Sequence, residues 1–76
     1  MSGVALETGS RQAGALTERE TVILRRLATG MTADAIARAE GISAGTVRKH
    51  LEHIYRKLGV KDRLLAVRCA WEDGLV

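Results

Sequence analysis

Residues 48 to 63 concentrate six basic side chains (Arg48, Lys49, Arg56, Lys57, Lys61 and Arg63) against two acids, Glu52 and Asp62. This segment carries +4 in a chain of net charge +3, so the remaining residues sum to −1. A basic block in an otherwise near-neutral chain is the electrostatic footprint of a polyanion binder, although a solvated helix face leaves the same trace. The chemistry available is hydrogen bonding. Arg and Lys donate to phosphate oxygens and to the acceptor edge of guanine, and Glu52 can accept from a cytosine amino group. His50 and His53 stand three apart like a metal pair, but no third ligand is evident, so no metal site is expected. Cys69 has no partner thiol and no nearby base, and packing rather than redox chemistry is expected of it. No nucleophile–base constellation or phosphate-cradling glycine loop stands out, so neither catalysis nor a cofactor is expected.

The elements that must position these side chains are helical. Seventy-six residues make one domain, which buries roughly 60% of its extended surface on folding. With 46% apolar residues, no Phe, one Trp and one Tyr, the core must be aliphatic. Pro is absent, while Ala, Leu, Arg and Glu are common, which favours helices. One cysteine excludes a disulfide framework, and no apolar run is long enough to span a membrane.

Residues 1 to 15 hold three glycines and no sustained apolar period, and a flexible tail or linker end is expected there. The domain is expected over 16 to 76. Thr17-Glu18-Arg19-Glu20 is a capping box, and Ile23, Leu24, Leu27 and Ala28 form the apolar stripe of a first helix ending at Gly30. Thr32 can cap a second, with Asp34 in its first turn and Ile36 and Ala37 facing inward. Gly41-Ile42-Ser43 then provides a turn, an anchor and the next cap, which makes the second and third helices a helix-turn-helix candidate.

The third helix, about 44 to 58, is the most informative. Val47, Leu51, Ile54 and Leu58 fall within roughly 60° of each other on a 3.6-residue turn. Lys49, His53 and Arg56 lie opposite, with Arg48 and Glu52 beside them and His50 and Lys57 on one flank. An ion pair of Glu52 with Arg48 or Arg56 is expected in the free protein. A rod that is apolar on one side and basic on the other fits the major groove. Tyr55 reads as a core-edge aromatic. Asp62 can cap a fourth helix running to about Asp73, on which Leu64, Leu65, Val67, Cys69, Ala70 and Trp71 spread around most of the circumference. Such a helix either meets another chain or folds Trp71 over the core as a lid.

Taken in order, Leu16-Thr17-Glu18-Arg19-Glu20, Ile23-Leu24, Gly30-Met31-Thr32, Ile36-Ala37, Ile42-Ser43, Thr46-Val47, His50, Ile54, Lys57-Leu58-Gly59-Val60, Arg63 and Ala66 resemble the LuxR/FixJ-type (GerE-like) DNA-binding domain of bacterial transcription regulators. The resemblance covers 16 to about 73. It implies a compact all-α, four-helix domain whose second and third helices form a helix-turn-helix. It places base contacts on Arg48, Lys49 and Glu52, and backbone contacts on Thr32, Ser43, Thr46, His50, Lys57 and Arg63. It further implies double-stranded DNA as partner, a homodimer through the fourth helix (Leu65, Arg68, Cys69 and Glu72), and work in the bacterial cytoplasm, as the C-terminal output domain of a regulator such as a response regulator or as a minimal regulator on its own. A second reading keeps the fold but makes it an interaction module for RNA polymerase or another protein, like region four of a sigma factor.

Three positions depart from the family pattern. Ala35 replaces the acid that usually precedes Ile-Ala, and Glu40 replaces a Leu near the end of the second helix, which is expected to loosen the turn. Leu64-Leu65 replaces a polar-acidic pair, which makes the fourth helix more prone to association.

Overall fold

The computed structural model describes residues 16–74. The tail expected over 1 to 15 lies outside them. Four helices follow in order: α1 Glu18–Ala28, α2 Ala33–Glu40, α3 Ala44–Leu58 and α4 Arg63–Glu72, with no strand among the described residues. The all-α, four-helix architecture is the one expected.

Each helix starts where a side chain can satisfy the amide groups that a helix leaves orphaned. Thr17 Oγ1 accepts from the Glu20 amide at 3.1 Å while Glu20 Oε1 accepts from the Thr17 amide at 2.9 Å, closing the capping box of α1. Thr32, Ser43 and Asp62 each accept from the amide three residues on, at 3.0–3.1 Å, and so cap α2, α3 and α4. The stops are equally local. Gly41 and Gly59 take φ of 70° and 72°, the left-handed region that costs Gly nothing. Past them, the Ile42 amide donates to the Ala37 carbonyl and the Val60 amide to the Tyr55 carbonyl, both at 3.0 Å. The turn between α2 and α3 is thus Gly41-Ile42-Ser43, and Ile42 is half-buried against the core.

The core is aliphatic and continuous. Ile23, Leu24 and Leu27 of α1, Ile36 and Ala37 of α2, Val47 and Ile54 of α3, and Ala66 and Ala70 of α4 are all buried. Burying such branched side chains fully is worth about 1.5–3 kcal/mol each, and this holds α3 rigidly against the other helices. On α4 the two buried residues are its alanines. Small side chains at i and i+4 let that helix lie close to the core, with Val67 half-buried against it and Leu64 and Trp71 turned outward.

Polar ties reinforce the same frame. Glu20 is 4% exposed, and its Oε1 stands 2.7 Å from Lys57 Nζ, joining α1 to the C-terminal end of α3. Glu40, far from loosening the turn, receives Arg26 Nε at 2.7 Å and Arg19 Nη1 at 3.6 Å, joining α2 to α1. A carboxylate at a helix C-terminus is unfavourable to the dipole, and two cations from the neighbouring helix offset that cost. The Arg63 guanidinium donates to the Leu27 carbonyl at 3.3 Å and so joins α4 to the end of α1.

Candidate nucleic-acid interface

The exposed residues of α3 are Gly45, Thr46, Arg48, Lys49, Glu52 and Arg56. They form one continuous solvent face, spaced by three or four residues, opposite the buried Val47 and Ile54. Arg48, Lys49 and Glu52 are therefore brought together on a helix whose other face is locked into the core. His53, expected on the outer face, is half-buried instead. Three helices pack against α3, so the covered arc is wider than one apolar stripe.

The ion pair expected within α3 does not form. Arg48 Nη2 approaches Asp34 Oδ1 of α2 at 3.9 Å, and Glu52 makes no ion pair among the described residues. Two reasons apply. For Arg48 the order is the weaker one, with the cation N-terminal to the acid at i, i+4. In addition, solvent-facing pairs gain at most about 1 kcal/mol against the cost of ordering two long side chains. Asp34 is thus a member of this surface that the sequence reading passed over, because no local pattern links it to Arg48.

The hydroxyl residues expected at the backbone sit at helix starts. Thr32 caps α2 and Ser43 caps α3, and Ser43 Oγ lies 2.9 Å from Thr46 Oγ1. A capping hydroxyl is used as an acceptor, so its own proton remains available to donate. One of the Ser43–Thr46 pair donates to the other, which still leaves one proton for a partner. Ser43 and Thr46 stand at the positive end of α3, on the helix that carries the basic face.

His50 is half-buried on the flank of α3. Among the described residues no group of three His, Cys, Asp or Glu side chains could hold a metal with it. Lys57 and Arg63 are already engaged inside the protein, by Glu20 and by the Leu27 carbonyl. Burial alone would raise the Glu20 carboxyl, but hydrogen bonds from Lys57 and from the Thr17 amide outweigh it and hold the group below its ordinary value. Tyr55 packs at the core edge, as expected, and burial pushes its phenol up.

The sequence matches the GerE family model, described as bacterial regulatory proteins of the luxR family, over residues 14–70. The chain belongs to the LuxR family of bacterial regulatory proteins. It is 41% identical over 61 residues to transcriptional regulatory protein YdfI of Bacillus subtilis, which covers 80% of this chain and 29% of that protein. It is 34% identical over all 76 residues to the probable transcriptional regulatory protein NarL of Mycobacterium tuberculosis, covering 35% of that protein. The response regulator protein VraR of Staphylococcus aureus is 43% identical over 61 residues, 80% of this chain and 29% of its own. The chain thus spans about a third or less of the length of these curated relatives. No solved structure matches it significantly. This is a LuxR-type helix-turn-helix domain of the DNA-binding, transcription-regulating class.

The fourth helix of the LuxR-type domain, packed against α1 and α3, presents a different surface. Leu64 is 76% exposed and Trp71 63% exposed, seven residues apart on one face, with Arg68 between them. Trp71 is therefore no lid over the core. Of the residues expected at a dimer contact, Arg68 and Glu72 are exposed and paired at 3.2 Å, whereas Leu65 and Cys69 are half-buried on the flank. Leu64 also borders an open, mainly apolar groove of about 490 Å³ shared with Leu27, Ala28 and Val67. Among the described residues no helix is long and apolar enough to cross a membrane.

Proposed function

We propose that residues 16 to 76 act as the sequence-specific DNA-binding domain of a bacterial transcription regulator, with α3 in the major groove of a double-stranded operator. The observation that carries this reading is the face of α3. Its Arg48, Lys49, Glu52 and Arg56 project from a rod whose buried side is fixed to three other helices, so their positions are set before DNA arrives. Arg48 and Lys49 donate to base edges, and Glu52, which makes no ion pair among the described residues, accepts from an exposed amino group. Thr32, Ser43, Thr46 and His50 donate to the flanking phosphates and fix register. Lys57 and Arg63 contribute positive potential to the backbone from positions already tied into the fold.

Two copies joined through the outer face of α4 set their α3 helices about 34 Å apart, one turn of the duplex, on a pseudo-palindromic site. The exposed Leu64 and Trp71 favour this pairing over a monomer. The protein works where its DNA is, in the bacterial cytoplasm.

Selection from a random duplex library at about 100–150 mM salt, where non-specific phosphate binding is weakened, tests the proposal. An enriched inverted repeat is expected. Arg48→Ala or Lys49→Ala should then cost about 1–3 kcal/mol and relax the preference at one base position. Recovery of no motif, or full discrimination retained by both variants, rejects the proposal. A tight complex with RNA polymerase in the absence of any duplex preference would favour the interaction-module reading instead.

A further inference from the structure

Resting on the assignment of Arg48 to base contact, we infer that Asp34 of α2 is a specificity-determining residue that acts through Arg48. Asp34 sits in the first turn of α2, where its charge also suits the helix dipole, and Thr32 rather than Asp34 caps that helix. Its Oδ1 stands 3.9 Å from Arg48 Nη2, across the helix-turn-helix and at the edge of the basic face. Both side chains are exposed, at 63% for Arg48 and 67% for Asp34, so the contact adds little to the fold. It does constrain what the guanidinium can do.

A guanidinium carries five N–H donors in a rigid fork. At 3.9 Å the Asp34 carboxylate is beyond hydrogen-bond distance and acts on the guanidinium through its charge, competing with phosphate for it. The planar fork matches the two acceptors of guanine in the major groove, and tolerates a displaced or differently shaped partner poorly. A free arginine would instead settle on any phosphate within reach. Asp34 also places a negative charge beside the surface that approaches the backbone, which penalises any duplex that Arg48 meets through phosphate alone. Only a site offering the two-acceptor contact recovers that penalty. Selectivity of this kind combines an attractive contact with a repulsive one.

Removing the charge should therefore strengthen binding while weakening discrimination. The test compares wild type, Asp34→Asn, Asp34→Glu, Arg48→Ala and the Asp34→Asn/Arg48→Ala double variant. Each is titrated with the duplex that wild type selects from the random library and with a scrambled duplex of equal composition, over a range of salt. Asp34→Asn should bind the scrambled duplex about two- to fivefold more tightly, the scale of one exposed ion pair, without an equal gain on the selected duplex. The salt slope should steepen by about one, as for one more phosphate contact. Asp34→Glu, which keeps the charge, should restore the ratio, and in the Arg48→Ala background Asp34→Asn should leave the ratio unchanged.

An unaltered ratio in Asp34→Asn, or the same drop with and without Arg48, overturns the inference. A wild type that selects no duplex overturns the DNA reading itself and this inference with it, so the two failures are told apart by the first titration. Matched thermal midpoints of wild type and Asp34→Asn separate loss of selectivity from loss of fold.

Discussion

Glu40 and Arg26 meet across the packed pair of α1 and α2, with the carboxylate Oε2 2.7 Å from the guanidinium Nε. Arg19 approaches the same carboxylate at 3.6 Å. The Glu40 side chain is 15% exposed and Arg26 37%, so the pair is sheltered on one side and wet on the other. It fixes the C-terminal end of α2 just before the turn that aims α3. A double-mutant cycle on Glu40→Ala and Arg26→Ala should give a coupling of about 1 kcal/mol in urea unfolding. A coupling near zero would mean that the turn is set by apolar packing of Ile42 alone.

Glu20 ties the start of α1 to the end of α3, and its effect should depend on pH. Its folded-state carboxyl lies below the ordinary value, because hydrogen bonds from Lys57 and Thr17 outweigh burial. The unfolded chain therefore takes up the proton first as pH falls, and the stabilisation is present above the unfolded value and lost as pH drops through the folded one. Glu20→Gln removes the charge and keeps the shape. It should cost about 1–2 kcal/mol near neutral pH, with the gap from wild type closing as the medium is acidified below the ordinary carboxylate range. A gap that stays constant down to acid pH would assign the loss to the altered capping box rather than to the charge.

Local features were readable from the sequence because their causes are local. The capping box of Thr17 and Glu20, the caps at Thr32, Ser43 and Asp62, and the stops at Gly41 and Gly59 each involve residues within a few positions. The buried stripe of α3 follows from its period for the same reason. The ties between helices were not readable. Arg26 and Glu40 are 14 residues apart and Glu20 and Lys57 are 37 apart, and nothing in composition says which of twelve basic side chains meets which acid. From sequence, therefore, Glu40 is a carboxylate in an apolar position and Lys57 a candidate backbone contact, with no sign of the partner each has within the fold. On α4, apolar residues on most sides gave no preferred face. Which of them turns inward was decided by size, since the alanines allow the closest approach to α1 and α3.

Gly45 is the residue on the outer face of α3 whose type the fold does not require. A Cβ there would meet nothing nearer than Ser43 Oγ at 3.8 Å, an ordinary contact, and its backbone angles are not those reserved for glycine. Gly within a helix is less favourable than Ala by roughly 0.5–1 kcal/mol. Gly45→Ala should therefore raise the unfolding free energy by up to that amount, read from thermal or urea midpoints. If the stabilised variant also binds its selected duplex more weakly, the glycine serves close approach of the DNA. If binding is unchanged, the position is free of contact.

The outer face of α4 makes the sharpest separation between stability and assembly. Leu64 and Trp71 are solvent-exposed in the single chain, so replacing both with Ser should change its unfolding free energy by less than about 0.5 kcal/mol each. In a twofold dimer the same patch is used by both copies, so each substitution is counted twice. Burying one such side chain is worth about 1.5–3 kcal/mol, and the double variant should weaken self-association by at least a hundredfold. Sedimentation equilibrium over a wide concentration range reads this directly, with Ala66→Ser as the contrasting variant. Ala66 is fully buried, so its substitution should lower the thermal midpoint whether or not the protein associates. A wild type that remains monomeric throughout, or a Leu64→Ser/Trp71→Ser variant that associates as wild type does, removes α4 as the dimer contact. The spacing of two recognition helices on the operator would then have to be set by some other surface.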